Sequence, residues 1–92
     1  SKEVCVKIVD KLLNQLKEKL YENRITIDFS SNLKQYIIDS SFSYDYGARP
    51  IKRFISKEIE TIIATKIVDE SIKPNDHVLL DYENNQIVFK KI

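Results

Sequence analysis

Ninety-two residues, 42% hydrophobic and 32% charged, provide for one small core and exclude a multidomain enzyme. Fifteen Lys and Arg stand against fourteen Asp and Glu, a formal net charge of +1. With no block of five like charges there is no polybasic tail for nucleic acid or a membrane surface. One glycine, one histidine and one cysteine exclude a phosphate-cradling P-loop, the dinucleotide fingerprint and the common zinc frameworks, each of which needs more of these residues.

In chain order, Val4, Ile8, Leu12, Leu16 and Leu20 recur every fourth residue, Val9 and Leu13 widen the stripe, and Lys, Glu, Asn and Gln fill the other face. This predicts an amphipathic helix over residues 1–22, in which Cys5 is a small apolar packing residue with no disulfide partner. Ile25, Ile27 and Phe29 alternate with Thr26 and Asp28, the period of a half-buried strand. Ser30 or Ser31 can cap a second helix running to about Ser41, whose apolar face carries Leu33, Tyr36 and Ile37. The aromatic-rich connection 42–50 then holds the only glycine, Gly47, and one of two prolines, Pro50.

Pro50 suits the first turn of a third helix, because its ring fixes φ and its missing N–H has no partner to lose there. Ile51, Phe54, Ile55, Ile59, Ile62, Ile63 and Ile67 give that helix an apolar face over about five turns. So many β-branched residues are poor intrinsic helix formers, so burial must hold it. Lys73-Pro74-Asn75-Asp76 reads as a turn, and 78–82 and 87–89 around Asn84-Asn85 read as a hairpin. The fold class is α+β: three helices on a small three-stranded sheet, as a single unit over residues 1–92. A domain of this size buries only about 60–65% of its unfolded surface, so a partner surface would add to its stability.

Few residues here can do chemistry. Ile67-Val68-Asp69-Glu70 and Val78-Leu79-Leu80-Asp81 imitate the end of a Walker B strand, but each reads as ordinary packing followed by a solvated acid. His77, beside Asp76, has no serine or cysteine nucleophile placed near it and reads as structural. Arg49 is different. It sits between a Gly-Ala turn and a proline-started helix, where free backbone N–H groups and a guanidinium fork together match phosphate oxygens. A basic residue before a helix also commonly pairs with an acid or stays in solvent, and one such site neither binds nor cleaves a nucleotide alone.

The run Tyr46-Gly47-Ala48-Arg49-Pro50-Ile51-Lys52-Arg53, followed by the apolar helix to Val68, resembles the YGARPLKR segment in the second ATPase module of Clp-type AAA+ unfoldases, the ClpB and ClpC group. Ile51 stands where that family usually has leucine, and the likeness extends over nearly the whole chain. The resemblance implies the C-terminal small, or lid, subdomain of that module. It implies that Arg49 is the sensor-2 arginine directed at the γ-phosphate of ATP, with Tyr46, Gly47 and Ala48 lining the nucleotide side. ATP, with Mg, would be held by the module's own large subdomain. Neighbouring subunits of a hexamer and substrate polypeptides are further implied partners, and a ClpP-type protease is a further candidate, whereas nucleic acid and membrane are not. The lid is then no enzyme in isolation, only part of an ATP-hydrolysing ring.

The residues leave open a freestanding α+β protein-interaction adaptor in which Arg49 pairs with an acid. They also leave a nucleic-acid-binding domain, which near-neutral charge disfavours. Twelve Lys to three Arg, fourteen Ile and six Asn follow AT-rich codons, as in a plastid-like organelle stroma or in the cytoplasm of a low-GC bacterium.

Overall fold

The computed structural model describes residues 2–41 and 48–92. Helix α1 (Lys2–Tyr21) leads into strand β1 (Thr26–Phe29) and helix α2 (Ser31–Ser41). The third predicted helix is one rod in three parts: α3 (Ala48–Phe54), a π-helical segment (Ile55–Glu60) and α4 (Thr61–Val68). Phe54, Glu60 and Thr61 at its joints all keep right-handed helical backbone. Strands β2 (His77–Glu83) and β3 (Gln86–Lys91) close the chain. The α+β architecture expected from the sequence is the one observed.

The sheet has the order β1-β2-β3. β1 runs parallel to β2, with Ile27 opposite Val78 and Phe29 opposite Leu80. β2 and β3 form an antiparallel hairpin, with Leu80 opposite Phe89 and Glu83 opposite Gln86. The hairpin residues Asn84 and Asn85 have φ of 52° and 64°, and Asn75 in the preceding turn has φ of 75°, a left-handed backbone that asparagine tolerates better than most residues. With one glycine in the chain, a charged residue fills the same role where α1 ends. Arg24 has φ of 63° while its N–H reaches Tyr21 O at 2.9 Å and the Ile25 N–H reaches Leu20 O at 3.1 Å. These two bonds form a Schellman closure, and buried Ile25 is its apolar cap.

One core joins both sides of the sequence. α1 contributes Cys5, Val9, Leu13, Leu16 and Leu20; the rod contributes Ile51, Ile55, Ile59 and Ile63; the sheet contributes Ile27, Val78 and Leu80. The face of α1 differs from the predicted stripe at its start, because Val4 is 53% exposed and Ile8 and Leu12 are only half-buried. A strict four-residue step drifts about 40° per repeat on a helix of 3.6 residues per turn. The observed series 5, 9, 13, 16, 20 contains one three-residue step, which takes back about half of the drift.

Ser30 is the cap of α2: its Oγ accepts the Leu33 N–H at 3.0 Å and donates to Asp81 Oδ1 at 2.5 Å. One hydroxyl therefore ties the helix start to the middle strand. Ser30→Ala is expected to cost about 1 kcal/mol through the cap alone, lowering Tm by roughly 4–8 °C in a domain of this size. Ser30→Thr keeps both bonds and should melt near the parent; calorimetry on the two variants checks the pair.

Candidate functional site

Arg49 is exposed in the first turn of α3, between exposed Ala48 and half-buried Pro50. The next residue, Ile51, is fully buried and pins that end of the rod to the core. Proline in a first turn removes no intrahelical bond, so the helix can start here with Arg49 exposed to solvent. Of the residues expected to line a nucleotide, Ala48 and Arg49 are adjacent here, whereas Tyr46 and Gly47 lie outside the described residues.

Some surface cations are held by acids, while those at this end of the rod are not held by any among the described residues. Lys17 pairs with Asp28, Lys34 with Asp10, Lys90 with Asp81 and Glu83, and Lys91 with Asp76. Arg49, Lys52, Arg53 and Lys57 are all exposed, and none of them takes part in an ion pair among the described residues. The reading in which Arg49 merely satisfies an acid thus finds no such acid among them. Beside this basic face is an open hollow of about 300 Å³ lined by Ser40, Ser41, Pro50, Arg53, Phe54, Lys57 and Glu58. An unneutralised guanidinium fork at a helix start can hold phosphate or carboxylate oxygens bidentately. No group of three His, Cys, Asp or Glu suited to a metal ion occurs among the described residues.

The other candidates are structural. His77 opens β2, and its partner is Asp28 across the parallel ladder, Nε2 to Oδ2 at 2.6 Å, rather than neighbouring Asp76. Lys17 of α1 donates to the other oxygen of Asp28 at 2.9 Å. Asp69 follows the last turn of α4 as an exposed residue accepting the Ser71 N–H at 2.8 Å. Asp81 is not the solvated acid expected from the sequence. Only 9% exposed, it accepts bonds from the Ser30 hydroxyl, the Tyr82 N–H and the Lys90 ammonium. The Ser30 bond, followed by that from Tyr82, holds its carboxyl below the ordinary aspartate range. Its burial depends on α2 crossing β2, a tertiary contact that strand periodicity does not encode.

The His77 bond, then the Lys17 bond, likewise lowers the carboxyl of Asp28 from its ordinary 3.8. A group more acidic in the folded than in the unfolded chain stabilises fully above the unfolded value and loses that contribution as pH falls through the folded one. Asp28→Asn should therefore cost only about 0.2–1 kcal/mol at pH 7, since both partners are half exposed. The parent's advantage should fade as pH falls below the ordinary 3.8 and vanish once the folded carboxyl is protonated as well. Melts from pH 2 to 7 test this, and a gap that widens on acidification would contradict it.

No helix among the described residues is long and apolar enough to cross a membrane. The sequence pattern of the family described as the C-terminal, D2-small domain, of ClpB protein matches residues 1–80. The chain is 36% identical over 81 residues to the chaperone protein ClpB of Bacillus cereus, covering 88% of this chain and 9% of that protein. It is 42% identical over 72 residues to the chaperone protein ClpB of Mycoplasma genitalium, covering 78% and 10%. For that of Malacoplasma penetrans the figures are 32% over 89 residues, 97% and 13%. The chain thus spans about a tenth of the length of the curated relatives it matches.

Proposed function

The chain belongs to the family of C-terminal, D2-small domains of ClpB protein, and on that premise we propose that it is the lid of an ATP-driven protein unfoldase in which Arg49 answers to the nucleotide's terminal phosphate. The observation that carries this reading is Arg49 itself: an exposed cation without an ion partner among the described residues, on a helix start fixed by Pro50 and buried Ile51. Those residues fit a phosphate.

ATP, when bound by the rest of the longer protein, supplies a phosphoryl bond whose cleavage releases free energy. The lid's part is positional. Arg49 offers two parallel N–H donors to phosphate oxygens and neutralises charge there. Pro50 and Ile51 keep the guanidinium's base from moving independently of the core. Gaining or losing that contact changes the preferred angle between the lid and the nucleotide-holding body, a rigid-body response to nucleotide state. Residues 46–48 complete the nucleotide-facing side in this reading, and residues 1–92 form one lid without a P-loop, so the piece alone turns over no ATP.

The wider reading is a hexamer in which the lid also touches the neighbouring subunit and the whole ring pulls on substrate polypeptides. The relatives' name, chaperone protein, favours rescue of misfolded chains over delivery to a ClpP-type protease. Their bacterial sources favour the bacterial cytoplasm over a plastid-like stroma. The test is ATP turnover by the longer protein with Arg49 replaced and folding confirmed.

A further inference from the structure

The rod that carries Arg49 buries Ile51, Ile55, Ile59 and Ile63, each 4% exposed or less, at an unbroken four-residue spacing. An α-helix turns about 100° per residue. Twelve residues from Ile51 to Ile63 would therefore overshoot three full turns by about 120°, and Ile51 would leave the face that buries Ile63. α1 halves the same drift with a three-residue step between Leu13 and Leu16. The rod has no such step; instead, Ile55–Glu60 is wound as a π-helix. Its i→i+5 pairing takes one more residue into the turn. Absorbing one residue removes about 100° and leaves an error of only about 20°.

We infer that this wide turn is what aims Arg49: by absorbing one extra residue in mid-rod it puts Ile51 into the core and so fixes the direction of the guanidinium two residues ahead. In a plain α-helix of the same length, exposed Lys52 would take the place of Ile51. Arg49 would then turn about 100° around the rod axis. What Arg49 touches rests on the function proposed above. Which face the rod buries does not.

Two variants of the longer protein test this. The exchange Ile51→Lys with Lys52→Ile keeps length and composition but leaves isoleucines at 52, 55, 59 and 63, the three-four-four spacing natural to a plain α-helix. It should fold and melt within a few degrees of the parent, while ATP turnover falls to the level of Arg49→Ala, because the guanidinium now points elsewhere. Deleting exposed Ser56 gives a four-three-four spacing, which removes the need for the wide turn and preserves the direction of Arg49. Turnover should stay within about twofold of the parent and Tm at or above it, an unusual outcome for a deletion inside a packed helix. Deleting Asn14 from α1, which has no wide turn, should unfold the domain.

An exchange variant that folds with parental turnover would overturn the inference. So would a Ser56 deletion that unfolds or loses turnover as Arg49→Ala does, or an exchange variant that unfolds. If Arg49→Ala itself leaves turnover intact, the phosphate reading fails. The melt of the Ser56 deletion, with amide exchange across residues 55–60, then still decides whether the wide turn sets the register.

Discussion

Ile59→Asp is expected to leave the chain unfolded at 25 °C. Ile59 is fully buried near the end of the π-helical segment, where the rod faces the rest of the core. Substitution removes an isoleucine, at about 2–5 kcal/mol for a cavity of that size. It also confines a carboxylate with no cation or donor set waiting for it, for several kcal/mol more. A domain of 92 residues has about 5–14 kcal/mol of stability to lose, so the two costs together reach its full margin. Circular-dichroism melts against two controls separate burial from helix chemistry. Ser56→Asp puts the same charge on the exposed side of the same segment and should melt within about 0.5 kcal/mol of the parent. Ile59→Val should lose only about 0.5–1.5 kcal/mol. A native-like melt for Ile59→Asp would mean that the rod does not bury this face.

Much of this arrangement can be read from residue spacing because the elements are bounded by chemistry that acts locally. Ser30 caps α2 because a serine hydroxyl reaches the third amide on; Pro50 starts the rod because it has no N–H to leave unpaired; Asn84 and Asn85 turn the hairpin because both accept positive φ. Two features were not legible for one reason: they depend on what lies across the core. The four-residue stripe of α1 drifts, and only contact with β1 and α2 shows that the buried series passes through Cys5 and not Val4. Asp81 resembles any strand acid until α2 places Ser30 beside it. The wide turn of the rod is the answer to a conflict between an every-fourth-residue isoleucine pattern and helical pitch. The sequence also offers three-residue steps, to Phe54 and to Ile62, and only the burial of 51, 55, 59 and 63 brings the conflict out. Ile72, buried behind the end of α4, carries no periodic signal because it stands alone between a helix and a turn.

Arg49→Ala in the longer protein should lower ATP turnover by tenfold or more, with melting of the domain unchanged, because the side chain is exposed and holds no ion pair among the described residues. Exposure makes this a clean experiment: a substitution that breaks no hydrogen bond or ion pair among the described residues acts through something beyond them. Removing one well-placed charged donor from a site where negative charge develops commonly costs about 10²–10³ in rate. Tenfold, about 1.4 kcal/mol, is therefore a low threshold. Arg49→Lys sharpens the result. Lysine keeps the charge but loses the planar fork, so recovery of only part of the rate assigns the rest to bidentate contact, and full recovery assigns all of it to charge. The division between kcat and KM locates the contact in time. A fall in kcat with KM unchanged means that Arg49 engages as the phosphoryl bond breaks, whereas a rise in KM alone means that it serves binding. If both constants match those of the parent in a folded Arg49→Ala protein, the exposed guanidinium is a surface charge, and the lid responds to nucleotide through other residues.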